Sequence, residues 1–139
     1  VMKSWYSVSA KAGGTAEIKI YDEIGMWGVS ARQFSDDLTA LGQVKNINLH
    51  IHSPGGDVFD GIAIYNLLSA HPASKTVYID GLAASMASVI ALVGNPVIMP
   101  ENAMMMIHYP SHYILGTHEK SDSFINSLLI MNKGGLFFA

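Results

Sequence analysis

Apolar and polar residues alternate in two stretches of the chain, residues 16–21 (AEIKIY) and residues 44–52 (VKNINLHIH). Period two marks a strand with one buried face. In the second stretch Ile47, Leu49 and Ile51 share one face and Asn48, His50 and His52 the other. Between the two, Ser30 followed by Gln33 has the form of a capping box, and Phe34, Leu38 and Leu41 recur at helical spacing until Gly42 ends the pattern. A second helical pattern (Val58, Phe59, Ile62, Ile64, Tyr65, Leu68) follows Ser53-Pro54-Gly55-Gly56-Asp57 and stops at His71-Pro72. Residues 75–80 read as a β-branched strand that Gly81 ends, and residues 83–93 as a small-residue helix, apolar all round, which demands burial on every side. Residues 4–10, 97–99 and 103–108 read as further strands, and residues 120–132 as a helix carrying Phe124, Ile125, Leu128 and Leu129. Strands and helices alternate, which predicts an α/β fold with a largely parallel sheet.

Composition narrows the picture. With 139 residues, 50% of them hydrophobic and 14% charged, the chain has room for one domain, 1–139, and no boundary shows within it. Ordinary soluble domains carry about 25% charged residues, so the shortage suggests apolar surface buried against copies of the same chain. A net charge of -3 and the lack of a basic cluster argue against nucleic acid as a partner. The longest apolar stretch, residues 82–93, is interrupted by Ser85 and Ser88 and falls short of the roughly 20 residues that cross a bilayer. No signal-peptide core precedes the first strand, and there is no cysteine, so a cytoplasmic location is the expectation. His50 and His52 stand at a spacing that can hold zinc, yet no cysteine, carboxylate or third histidine is near them in sequence, and no metal is expected.

Two strand-to-helix junctions carry candidate chemistry. In Ser53-Pro54-Gly55-Gly56-Asp57 the paired glycines free the backbone to aim N–H groups outward, which suits an anion or a developing oxyanion; taken alone, the segment is equally a tight turn. In Gly81-Leu82-Ala83-Ala84-Ser85-Met86-Ala87-Ser88 a hydroxyl sits at a helix start walled by small residues, where Ser85 is a nucleophile or merely a cap. Downstream, His108 ends the strand Met104-Met105-Met106-Ile107 and precedes Tyr109-Pro110; the methionines read as core filler. Together the three features supply an oxyanion donor, a nucleophile and a general base in that chain order.

This combination resembles the proteolytic subunit of the Clp protease and its relatives within the ClpP/crotonase fold. The resemblance implies a spiral of β-β-α units. It casts Ser85 as nucleophile, His108 as base and the backbone N–H groups of Gly56 and Met86 as the oxyanion hole, with Asp57, Val58 and Tyr109 pairing with an extended substrate strand. It also implies a polypeptide substrate, a homo-oligomeric ring, an AAA+ unfoldase as a possible partner, and no cofactor. The segments DEIG-WGV, HSPGGDVFDGIAIYNLL and PENAMMMIH look closer still to the Clp-like head-maturation proteases of tailed phages, which implies scaffold or capsid protein as substrate in a bacterial host cell. His52 stands where the housekeeping branch often has Asn, a difference expected to matter little. The family completes its triad with an acid in a C-terminal segment; after His108 the carboxylates are Glu119 and Asp122, neither suitably placed, so the third acid is unassigned and the chain is expected to be C-terminally truncated. The rivals are a catalytically weak or inactive Clp-like ring subunit and a crotonase-type acyl-CoA enzyme. The Ser-His pair and the absence of a basic cluster for CoA phosphates speak against the latter.

Overall fold

The computed structural model describes residues 6–108 and the backbone of two further strands, 128–132 and 135–138. Strands β1 (Tyr6–Lys11), β2 (Thr15–Ile20), β3 (Asn46–Ser53), β4 (Ser74–Ala84), β5 (Val97–Ile98), β6 (Met104–His108), β7 (Leu128–Asn132) and β8 (Gly135–Phe138) form one sheet in the order β1-β2-β3-β4-β6-β7-β8, with β5 beside β4. The centre, β2-β3-β4-β6, is parallel, and β1, β7 and β8 add antiparallel edges. Helices α1 (Ala31–Ala40), α2 (Val58–Ala70) and α3 (Met86–Ala91) supply the crossovers that parallel strands require. The α/β class read from the sequence is the class observed.

The period-two alternation explains how the sheet is dressed. Ala16, Ile18 and Ile20 of β2, Ile47, Leu49 and Ile51 of β3, and Val77 and Ile79 of β4 are all buried. They share a core with Phe34 and Leu38 of α1, Ile64 and Leu68 of α2, and Met86, Ala87 and Ile90 of α3. Ser30 caps α1 by accepting the Gln33 N–H at 3.2 Å.

The opposite face is polar, although parallel strands are ordinarily covered on both sides. Side chains on that face satisfy one another across the strands. Asn48 Nδ2 donates to Glu17 at 2.7 Å, His50 lies 2.8 Å from Asp80 and 3.4 Å from Glu17, and the Tyr21 hydroxyl donates to Asp80. His50 also stacks on Tyr78 with ring centroids 4.6 Å apart.

Three expectations are corrected. Gly81 does not end β4; the strand runs on to Ala84 because its backbone pairs with the next strand, Leu82, Ala83 and Ala84 opposite Met104, Met105 and Met106. The following helix is therefore short, and Leu92 at its end is 61% exposed rather than buried. The helix predicted from Val58 onward is observed as α2, with Phe59 and Ile62 exposed. Finally, residues 128–132 form strand β7 against β6 instead of the end of a helix; residues 120–127 lie outside the described residues. Leu128, Leu129 and Ile130 are as compatible with a strand as with a helix, and pairing with β6 decides the matter.

Candidate active site

β3 delivers the first half of the site. At its end Ser53 is buried, its hydroxyl donating to the Asp22 carbonyl at 2.7 Å and accepting the Gly55 N–H at 3.1 Å. The loop between β2 and α1 then clasps the turn: Ile24 donates to the Gly55 carbonyl and Asp57 donates to the Ile24 carbonyl, each at 2.8 Å. Gly55 and Gly56 both lie at positive φ, +89° and +147°. A Cβ on Gly56 would come 2.0 Å from the Ile24 carbonyl oxygen, so no side chain fits between turn and loop. Because the N–H groups of Gly55 and Asp57 are spent on these bonds, that of Gly56 is left without a partner among the described residues.

β4 and β6 deliver the second half. Where β4 leaves the sheet, Ser85 donates its N–H to the Met106 carbonyl at 2.9 Å and turns sharply, with φ 54° and ψ -124°. It is the one non-glycine residue at positive φ among the described residues. Such geometry costs of order 1–3 kcal/mol and persists where the surroundings enforce it. The turn projects the hydroxyl out of the strand-helix corner, and Ser85 Oγ lies 2.7 Å from His108 Nε2 at the end of β6. The cap reading of Ser85 is thereby set aside: its side chain makes no cap bond, and the buried Ser88 closes the turn with its own Oγ and N–H on the Ser85 carbonyl, at 2.5 and 3.0 Å. Met86, the first residue of α3, has an N–H with no partner among the described residues.

The two halves touch. A Cβ on Gly55 would lie 2.6 Å from the Ala84 carbonyl oxygen, 2.7 Å from Ser85 Cβ and 3.0 Å from Met86 N. Gly61 of α2 similarly makes room for Met86, whose Cε would be 2.7 Å from an added Cβ. The fold thus gathers Ser85, His108, Gly56 and Met86 around one corner, with a hydroxyl, an imidazole and two unpaired N–H groups.

Other predicted site residues fare differently. Asp57 is not available to a substrate strand, since its N–H serves Ile24, its carbonyl accepts from Gly61 at 3.0 Å, and its carboxylate caps α2 by accepting the Asp60 N–H at 2.8 Å. Val58 is the first residue of α2, a position whose N–H has no partner within the helix. Tyr109, Glu119 and Asp122 lie outside the described residues. His50 and His52 serve different partners, Asp80 and the Leu82 N–H, and no group of three or more His, Cys, Asp or Glu among the described residues could hold a metal ion. Sequence reasoning missed the Ile24 clasp and the contact between His52 and Leu82. The first leaves no pattern in the sequence; the second was signalled by a glycine inside a strand, which often marks a bulge.

Among the described residues no helix is long and apolar enough to cross a membrane. The profile of the Clp protease family matches residues 2–133. The chain is 39% identical over 83 residues to ATP-dependent Clp protease proteolytic subunit 2 of Corynebacterium efficiens, a match covering 58% of this chain and 41% of that protein. It is 41% identical over 76 residues to the ATP-dependent Clp protease proteolytic subunit of Ligilactobacillus salivarius, covering 52% of this chain and 38% of that protein. It therefore spans about two fifths of the length of these curated relatives. Among solved structures, a ClpP1 N165D mutant from Listeria monocytogenes superposes with a TM-score of 0.62 at 27% identity, over 69% of this chain and 57% of that one. A family profile that takes in nearly the whole chain, including the SPGG turn, the Ser85 corner and the His108 strand, leads to one assignment: this chain belongs to the Clp protease family.

Proposed function

We propose that the chain is a serine endopeptidase of the Clp type, in which Ser85 is the nucleophile, His108 the general base, and the N–H groups of Gly56 and Met86 the oxyanion hole. The observation that carries this reading is the 2.7 Å approach of His108 Nε2 to Ser85 Oγ at a strained strand-helix corner. Unprotonated Nε2 takes the hydroxyl proton as Oγ adds to the scissile carbonyl. The carbonyl oxygen gains negative charge between two N–H donors that need no reorganisation to receive it. His108 then gives the proton to the leaving amine as the C–N bond breaks, leaving an ester on Ser85. Water, deprotonated by the same imidazole, cleaves that ester, releases the acid and restores the serine hydroxyl. Gly55 and Asp57, on either side of Gly56, are bonded to Ile24, and Ser85 is bonded to Met106, which supports a site built before substrate arrives.

The third, orienting acid is unassigned within this reading. The proposed partners are a polypeptide substrate, like subunits in a ring, and an ATP-driven unfoldase. The finer reading, cleavage of scaffold or capsid protein in phage head assembly, is supported by the resemblance of residues 22–29, 52–68 and 100–108 to the phage branch. Purified protein incubated with a fluorophosphonate should take one label, mapped by mass spectrometry to Ser85, and Ser85→Ala should take none. Label that survives this substitution overturns the assignment.

A further inference from the structure

The path of β4 into the corner is irregular, and the irregularity has a specific prop. Ile51 of β3 stands opposite Ile79, but Ser53, two residues on, stands opposite Ala83, four residues on. Two extra residues are thus accommodated in β4 across the segment Asp80-Gly81-Leu82, opposite the single residue His52. A bulge of this kind leaves backbone groups without ladder partners. Here His52 supplies one: its Nδ1 accepts the Leu82 N–H at 3.1 Å. The ring lies directly on Gly81, where an added Cβ would be 2.6 Å from Nδ1 and 2.9 Å from Cε1, and it meets Tyr21 edge-on with centroids 5.8 Å apart. Leu82 is also the first residue of β4 to pair with β6, and three residues later the chain reaches Ser85.

We infer that His52 is a positioning residue for Ser85, acting through its Nδ1 acceptor on Leu82 N–H to fix the bulge that registers β4 against β6. His108 sits on β6 and Ser85 leaves β4, so the separation of the two reacting groups depends on that register. A slip of the bulge moves Oγ relative to Nε2 without touching either residue. The role requires an acceptor at the position of Nδ1, a requirement compatible with the expectation that His in place of Asn matters little. Asn meets it, because its Oδ1 is bonded to Cγ as Nδ1 is in His. Leu fills similar space and does not.

This inference rests on Ser85 being the nucleophile, and the test separates the two. Fluorophosphonate labelling is followed over time at several reagent concentrations for the wild type, Ser85→Ala, His52→Leu, His52→Asn and Gly81→Ala, each confirmed folded by circular dichroism. The expected result is a limiting labelling rate about 10- to 100-fold lower in His52→Leu, with the half-saturating concentration unchanged, and recovery to within about threefold of wild type in His52→Asn. Gly81→Ala, which keeps every polar group but pushes the ring from its seat, should lose rate as His52→Leu does, and it decides the question if the Leu variant does not fold. Wild-type rates in the folded members of this pair, or an Asn variant no faster than Leu, overturn the positioning role while leaving Ser85 as nucleophile. A wild-type protein that takes no label overturns the protease reading and the positioning role with it.

Discussion

Ser85 combines the hydroxyl proposed as nucleophile with a backbone conformation that side chains disfavour, and replacing it with Ala and with Gly separates the two. At φ 54° and ψ -124° it occupies the mirror image of the extended region, which glycine enters freely and other residues enter at a cost of about 1–3 kcal/mol. Ala and Gly both remove the Oγ contact with His108, so the difference between them reports the backbone alone. Against a relief of about 2 kcal/mol stands the greater conformational freedom of glycine in the unfolded chain, about 0.5–1 kcal/mol. The net expectation is that Ser85→Gly is more stable than Ser85→Ala by about 1 kcal/mol, which for a chain of this size is about 3–5 °C in Tm. Urea denaturation of both variants, with calorimetry as a second readout, measures the difference. A Gly variant less stable than the Ala variant would refute the claim that the corner is strained.

Ser53→Ala strips the partner from the Gly55 N–H and the Asp22 carbonyl at a buried position, and should cost about 2–3 kcal/mol in urea denaturation. Gly55→Ala should abolish fluorophosphonate labelling, because φ of +89° opposes a side chain and the new methyl falls 2.7 Å from Ser85 Cβ. Burial, with the nearby Lys75 ammonium as a second cause, holds His71 below the ordinary histidine value of 6.5. The folded chain therefore binds fewer protons at this residue than the unfolded one, so its contribution to stability is complete above pH 6.5 and declines as pH falls through the lower folded value. His71→Asn, whose amide oxygen can still accept the Ala73 N–H, should flatten that part of the pH dependence of urea midpoints.

Legibility of the sequence followed the locality of the physics. The strands β2 and β3 and the cap at Ser30 were readable because alternation and capping act within a few residues. The chain order of turn, serine and histidine was readable too, and the fold brings Gly56, Ser85, Met86 and His108 together. What was not readable depends on partners distant in sequence. Gly81 looks like a terminator until His52 and β6 hold the strand through it. Nothing local to Asp57 signals that Ile24 takes its N–H. Residues 128–132 look helical until β6 offers them an edge to pair with.

The central claim is that Ser85 and His108 act together on one scissile bond, and a peptidyl chloromethyl ketone tests it most directly. Ser85 Oγ should add to the ketone carbonyl while His108 Nε2 displaces chloride from the neighbouring methylene, joining both residues to one inhibitor. Peptide mapping should find alkylation at His108 in the wild type, with His50, His52 and His71 unmodified, and almost none anywhere in Ser85→Ala. Alkylation of His108 that proceeds at the wild-type rate without Ser85, or that spreads evenly over the histidines, would contradict the account.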